Sequence, residues 1–314
     1  MVPMAVVRQY AVSQQIGLDV ADQEVVLHYA LELLRRSALL GYQTEERGSV
    51  AGPLLFKGGT ALRKCVFGKS GRFSQDIDLD AMHANGFEAA IEAAISDNNP
   101  FFGITFSIPN FRYSQDDNFS GSVSYEHEHA KGAFELQISY RLTPILEPRD
   151  LMLQRQLYFE RVEFPPPLMH GLDPYEMIGE KVMACNRRMG GSAKDVYDLF
   201  LWSQRPFNPS LVRAVSTLKA WTDQRRQPIY EPAAFLAGIV PGNYRWDDLE
   251  GLVPRGLQSN KVEICKTVRD RFSFLTECTA DEITVIDDQT AHRKSGLFDR
   301  LASEARDLAK SVPR

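Results

Sequence analysis

Apolar and polar positions follow a helical period at the start of this chain, a period of two in its middle, and a helical period again after residue 167. From Asp22 to Leu40, Val25, Val26, Tyr29, Leu33, Leu34 and Leu40 recur at spacings near 3.6 behind an acidic start, which predicts a helix. Leu54-Leu55-Phe56 is a short apolar run that ends in Gly58-Gly59-Thr60, and Ala61 to Phe67 is compatible with a helix. Phe87 to Ile95 reads as a short Ala-rich helix before the turn at Asp97-Asn98-Asn99-Pro100. Between Phe102 and Leu142 the period drops to two, as in Ile104-Thr105-Phe106-Ser107-Ile108 and Phe134-Glu135-Leu136-Gln137-Ile138-Ser139-Tyr140. With Gly121 and Gly132 as punctuation, this predicts an antiparallel extension of a sheet. Pro165-Pro166-Pro167 breaks the chain, and beyond it 174–189, 193–203, 209–222, 259–276 and 296–311 favour helix. The expected organisation is an α/β domain over residues 1–165 and a helical domain over 166–314, without internal repeats.

Composition narrows the classes. A chain of 314 residues buries about three quarters of its unfolded surface. Its 44% hydrophobic and 25% charged content is that of a globular protein. No apolar run approaches the roughly 20 residues of a membrane span, and the N-terminal Met-Val-Pro-Met-Ala lacks a basic-then-apolar signal pattern. A cytoplasmic protein without membrane contact is expected. Cys65, Cys185, Cys265 and Cys278 show neither CxxC nor Cys-His spacing, so reduced, partly buried thiols are expected. A net charge of −5 argues against an indiscriminate nucleic-acid coat and leaves room for a local basic groove.

The richest chemistry lies between Lys57 and Asp80. A strand that turns through Gly58-Gly59-Thr60 into a helix aims free backbone N–H groups at whatever sits above the turn, and the helix dipole favours an anion there. Ser74-Gln75-Asp76-Ile77-Asp78-Leu79-Asp80 follows. In a strand, Asp76 and Asp78 share one face while Ile77 and Leu79 bury the other. Two adjacent carboxylates repel unless a cation sits between them, and an all-oxygen set suits magnesium. A phosphate cradle beside a magnesium clamp is the equipment of phosphoryl or nucleotidyl transfer. Gly-Gly and Asp-x-Asp are each common alone; their order, with Arg63, Arg72 and Ser74 between them, carries the reading.

These motifs resemble the AbiEii/AbiGii-type nucleotidyltransferase toxins, a polymerase-β-like branch that includes the MenT toxins. The matching blocks are Lys57 to Arg63, Arg72 to Leu79, Glu180-Lys181, and Lys194-Asp195-Val196-Tyr197-Asp198-Leu199, together spanning residues 50–205. The resemblance implies a polymerase-β-like α/β domain with a mixed sheet, and a C-terminal helical bundle that completes the active-site cleft. It implies transfer of a nucleoside monophosphate from an NTP to an acceptor hydroxyl, with magnesium, or manganese in its place, held by Asp76 and Asp78. Lys57, Gly58, Gly59, Thr60, Arg63, Ser74 and Lys181 would bind the nucleotide. Lys64, Lys69, Arg72 and Arg188 would guide phosphates. The acceptor it implies is the tRNA 3′ end, and the biological partner a cognate antitoxin.

A third metal carboxylate is expected on the Phe134–Tyr140 strand, where Glu135 points the right way. Counting back from Arg141, however, the family's position falls on Gln137, so both remain candidates. Met177, Lys181, Ala184 and Arg188 share a helix face, and Asp195, Asp198 and Trp202 share the next one. One of the two aspartates would orient Lys181 or Arg188 by a charge-assisted bond, while the other caps its helix after Ser192. Glu126-His127-Glu128-His129 has the look of a metal cluster but lacks evident partners, and Arg225-Arg226 with Lys219 reads first as a solvated helix end. Two other functions fit the same residues: transfer to a small molecule such as an aminoglycoside or to a protein, and a non-catalytic nucleotide-binding module.

Overall fold

The structure, a computed structural model, describes all residues except 45–47, 51, 83–86, 110, 115–117, 141–142, 188–190, 224–228, 258–259 and 313–314. Arg141, Arg188, Arg225 and Arg226 of the sequence reading therefore lie outside the described residues. The chain divides into two units, residues 1–143, 148–171 and 251–257 in the first, and 144–147, 172–250 and 258–314 in the second. The first unit runs past Pro165-Pro166-Pro167 to Gly171.

The first unit opens with helices α1 (Met4–Gln14) and α2 (Leu18–Arg36) and a small hairpin, β1 (Tyr42–Thr44) with β2 (Gly48–Val50). Then come β3 (Leu54–Lys57), α3 (Gly58–Ala61), β4 (Ile77–Ala81) and α4 (Phe87–Asp97). The rest of the sheet is β5 (Thr105–Ser107), β6 (Phe111–Ser114), β7 (Asn118–His127), β8 (Ala130–Ser139), β9 (Arg149–Met152) and β10 (Leu168–Gly171). The sheet is mixed and runs β5-β7-β8-β4-β3-β10-β9, with β6 also on β7. Pairs β4–β8 and β3–β10 are parallel, and β3–β4 and β7–β8 antiparallel. The expected antiparallel extension is β7 and β8, and it joins the chemistry-bearing strand β4 through a parallel ladder. Leu54, Leu55 and Phe56 are fully buried, as an interior strand requires.

Helix α2 begins four positions before the predicted Asp22 start and ends at Arg36 instead of Leu40. Ala38 has φ of +58°, and Leu39 N–H donates to Leu34 O at 3.0 Å, so a left-handed turn closes the helix. This helix is buried nearly all round, polar residues included. Asp22 meets His127 at 3.1 Å and Glu32 holds Arg35 and Arg36 at 2.7 Å. The Glu126–His129 segment thus supplies His127 to an internal pair with α2, its ring stacked on Tyr125.

His28 stacks between Phe159 and Phe164, with ring centroids 4.8 and 5.2 Å away. Burial, with Lys64 nearby, holds its imidazole well below the ordinary value. A lowered histidine leaves stability intact above about pH 6.5, and stability is lost as pH falls, because the unfolded chain then binds the proton more readily. Urea midpoints are expected to drop between pH 7 and pH 5, and His28→Leu to flatten that drop. Identical wild-type midpoints at the two pH values would contradict this account.

The second unit is helical: α5 (Pro174–Arg187), α6 (Ala193–Ser203), α7 (Pro209–Thr222), α8 (Pro232–Gly238), α9 (Lys261–Arg271), α10 (Ala280–Asp288) and α11 (Ser295–Lys310). β11 (Gly191–Ser192), directly before α6, forms a short parallel pair with β12 (Tyr244–Arg245), which follows α8. Side-chain caps set the starts: Ser192 on Lys194 N at 3.3 Å, Asn208 on Leu211 N at 3.2 Å, and a Thr279–Glu282 capping box. Helices α5 and α7 approach closely at Gly179, where a Cβ would come within 2.7 Å of Val215 Cγ1. The same pair is crossed by Lys219, 2.5 Å from Glu176 and 3.1 Å from Glu180. All four cysteines are free thiols, and burial pushes Cys65 up to about 12. Among the described residues no helix is long and apolar enough to cross a membrane.

Candidate active site

The Gly-Gly turn and the aspartate strand fit against each other in the first unit. Gly58 has φ of +76°, a conformation that side chains resist, and a Cβ there would lie 2.0 Å from Asp78 Oδ2. At Gly59 a Cβ would come within 2.5 Å of Arg72 Nη2 and 3.1 Å of Ser74 Oγ. Both glycines are thus required by close approach: the turn backbone is what Asp78, Arg72 and Ser74 pack on. Behind the turn, the buried Thr60 hydroxyl donates to the Asp76 backbone carbonyl and ties the start of the aspartate strand to helix α3. The helical segment then continues as a π-turn over Leu62–Phe67.

Asp76 and Asp78 are half-buried, while Ile77 and Leu79 are fully buried behind them, as the alternation predicts. The alternation extends one step further than the sequence reading used. Asp80 is buried on the aspartate face and meets Lys57 Nζ at 2.5 Å. Lys57 also stands opposite Asp78 in the β3–β4 ladder. Its ammonium therefore sits among like-charged carboxylates and offsets their repulsion. The signal for this pair was visible in Asp76-x-Asp78-x-Asp80, but nothing local says which cation answers the third carboxylate.

The β4–β8 register decides the neighbour of Asp78: its partner is Gln137. Glu135 lies on the same face one step earlier, half-buried, and pairs with Ser122 on the other side. Among the described residues no group of three or more His, Cys, Asp or Glu side chains gathers as a metal cage. A donor set of two carboxylates still fits a hard divalent cation, because magnesium takes one or two carboxylates and completes its shell with substrate phosphate oxygens and water.

Arg63, the last residue of the first family block, and its neighbour Lys64 are placed differently from the expectation. Arg63 is 1% exposed. Its guanidinium donates to the carbonyls of Gly68 and, at 2.9 Å, Gly71, reaches Tyr10 Oη at 3.2 Å, and lies 4.1 Å over the Phe73 ring. It thereby knits the 68–73 loop that carries Arg72 and Ser74, and it has no face toward a nucleotide. Lys64, expected to guide phosphates, is likewise interior: its Nζ meets Glu24 Oε1 at 2.9 Å, Glu24 O at 3.0 Å and Tyr158 Oη at 3.3 Å. Burial lowers its ammonium, and Glu24 opposes that shift. Arg72 is buried and donates to Phe73 O at 3.2 Å, whereas Lys69 is exposed.

In the second unit, Lys181 of α5 is held by both aspartates of α6, Asp195 Oδ1 at 2.7 Å and Asp198 Oδ2 at 3.1 Å. The expectation that one would orient the lysine and the other cap the helix resolves into a three-residue cluster. The cap is Ser192, so both carboxylates are left for the lysine. Held at both sides, the ammonium is fixed in one geometry by charge-assisted bonds.

The fold matches a solved structure along its whole length. MenT4, a nucleotidyltransferase toxin from Mycobacterium tuberculosis H37Rv, superposes with a TM-score of 0.78 at 22% identity, over 98% of this chain and 100% of that one. JHP933 from Helicobacter pylori matches with a TM-score of 0.48 at 17% identity, over 83% of this chain and 94% of that one. No curated protein matches the chain. The chain therefore has the fold of MenT4, with paired aspartates beside a Gly-Gly turn in its first unit. The sequence profile of the family described as "Nucleotidyl transferase AbiEii toxin, Type IV TA system" matches residues 45–265, and the chain belongs to that family.

Proposed function

We propose that the protein transfers a nucleoside monophosphate from an NTP to the 3′ end of tRNA, with a divalent metal ion, as the cytoplasmic toxin answered by a cognate antitoxin. The observation that carries this reading is the packing of Asp78 on the Gly58 turn, which brings a carboxylate pair against a backbone suited to phosphate. The acceptor hydroxyl attacks the α-phosphorus: a phosphate-ester bond forms, the α–β anhydride bond breaks, pyrophosphate leaves with the electron pair, and the hydroxyl proton passes to solvent. When bound by Asp76 and Asp78, magnesium supplies neutralisation of phosphate charge and orientation of the attacking oxygen. The Gly58-Gly59 turn and Ser74 hold the triphosphate through N–H and O–H donors. Lys57 limits repulsion between the aspartates and the incoming phosphates. Lys181 is assigned to the triphosphate by the family motif, as a cation fixed by Asp195 and Asp198.

Purified protein incubated with each labelled triphosphate and magnesium, with and without total tRNA, tests the proposal. Label at the tRNA 3′ end supports it, and label found only on small molecules or proteins overturns the acceptor assignment. In cells, expression should arrest growth, and Asp76→Ala should lift the arrest. Lys181→Ala is expected to raise KM for the triphosphate about tenfold or more, and Lys181→Arg to raise it less, because the site needs a cation before a particular geometry. If both variants use the nucleotide as wild type does, Lys181 has no part in the reaction.

A further inference from the structure

We propose that the polar face of β8, β7 and β6 beside Asp78 is the acceptor's binding track, and that it holds the phosphodiester end of a polynucleotide. This rests on the transferase reading above and assigns a place for the acceptor. Register carries the argument. Lys57 pairs with Asp78, Asp78 with Gln137, Gln137 with Ser120, and Ser120 with Arg112. Paired residues in neighbouring strands share a face, so these five side chains form one row across the sheet. The next row on the opposite face, with Leu79, Ile138 and Phe119, is buried.

Along the row, Gln137 and Arg112 are exposed and Ser120 is half-buried. From Asp78 outward it therefore offers an amide, a hydroxyl and then a guanidinium, with no carboxylate between. Amide and hydroxyl groups bond to sugar hydroxyls and phosphate oxygens, and a guanidinium grips phosphate bidentately. Arg112 stands about three strand spacings from Asp78, on the order of 14 Å. The phosphate it meets then belongs to the chain behind the attacking hydroxyl. The row carries no aromatic ring, so it holds backbone and is indifferent to the terminal base. A polycationic small-molecule acceptor would gain nothing from Arg112.

The test uses the full chain with magnesium, the preferred triphosphate and tRNA. Arg112→Ala is expected to raise KM for tRNA several-fold and Arg112→Glu about tenfold or more, with kcat and the triphosphate KM within about twofold. The salt dependence of kcat/KM for tRNA should lose about 0.7 from its log–log slope, as expected for one single-strand phosphate contact. Arg112→Lys should restore most of the loss. Wild-type transfer to tRNA with unchanged KM and slope in Arg112→Glu would overturn the track alone. Transfer by the wild type to a small molecule and never to RNA would overturn the transferase-to-RNA reading and the track with it.

Discussion

Alanine in place of Asp76 or Asp78 is expected to lower transfer by three orders of magnitude or more, about 4 kcal/mol of transition-state stabilisation. Thermal stability should hold or rise slightly, because removing one of several like charges relieves repulsion on the aspartate face. The two residues differ in their surroundings: Asp78 lies on the Gly58 turn, and the Asp76 backbone is tied by Thr60. Labelled nucleotide transfer read beside a melting curve separates the two effects. Turnover at the wild-type rate in either variant, with metal present, would remove these aspartates from the active site.

The second large effect concerns Lys64. Truncation to alanine leaves the Glu24 carboxylate buried without its cation, which costs about 3–5 kcal/mol of stability. The double variant Glu24→Gln, Lys64→Met should recover most of that loss, since it removes both charges at once. Urea denaturation of the single and double variants provides the measurement. A phosphate-guiding lysine would behave otherwise: Lys64→Ala would keep its stability and weaken RNA use in a salt-dependent way. The burial of Lys64 and its 2.9 Å contact with Glu24 favour the first outcome.

Much of the first unit could be read from local pattern. The Gly58-Gly59 turn, the alternation that puts Asp76 and Asp78 on one face, and the paired period-two segments that became β7 and β8 depend only on near neighbours. The helices after residue 172 were legible for the same reason, since apolar spacing and caps such as Ser192 and Asn208 are local. Less was visible where short elements draw stability from packing. Helix α1, helices α8 and α10, the edge strand β9 and its neighbour β10 have too few residues or too little periodicity to announce themselves. Strand β10 enters the sheet directly after Pro165-Pro166-Pro167, where the sequence suggested only a break.

The sequence by itself determined which carboxylates share a strand face, where the Gly-Gly turn falls before them, and which family the motifs belong to. Only the tertiary structure decided the roles of the charged residues around them. Arg63 was given to a nucleotide and Lys64 to phosphate guidance, yet Phe73 ten residues on and the sequence-distant Tyr10 and Glu24 turn them into interior struts. Lys57 was given to a nucleotide and is drawn to Asp80, and Asp195 and Asp198 share Lys181. Gln137, rather than Glu135, stands beside Asp78 because of the parallel ladder between β4 and β8. A side chain's face follows from its own strand or helix, whereas its burial and its partner follow from residues that meet it only when the chain folds.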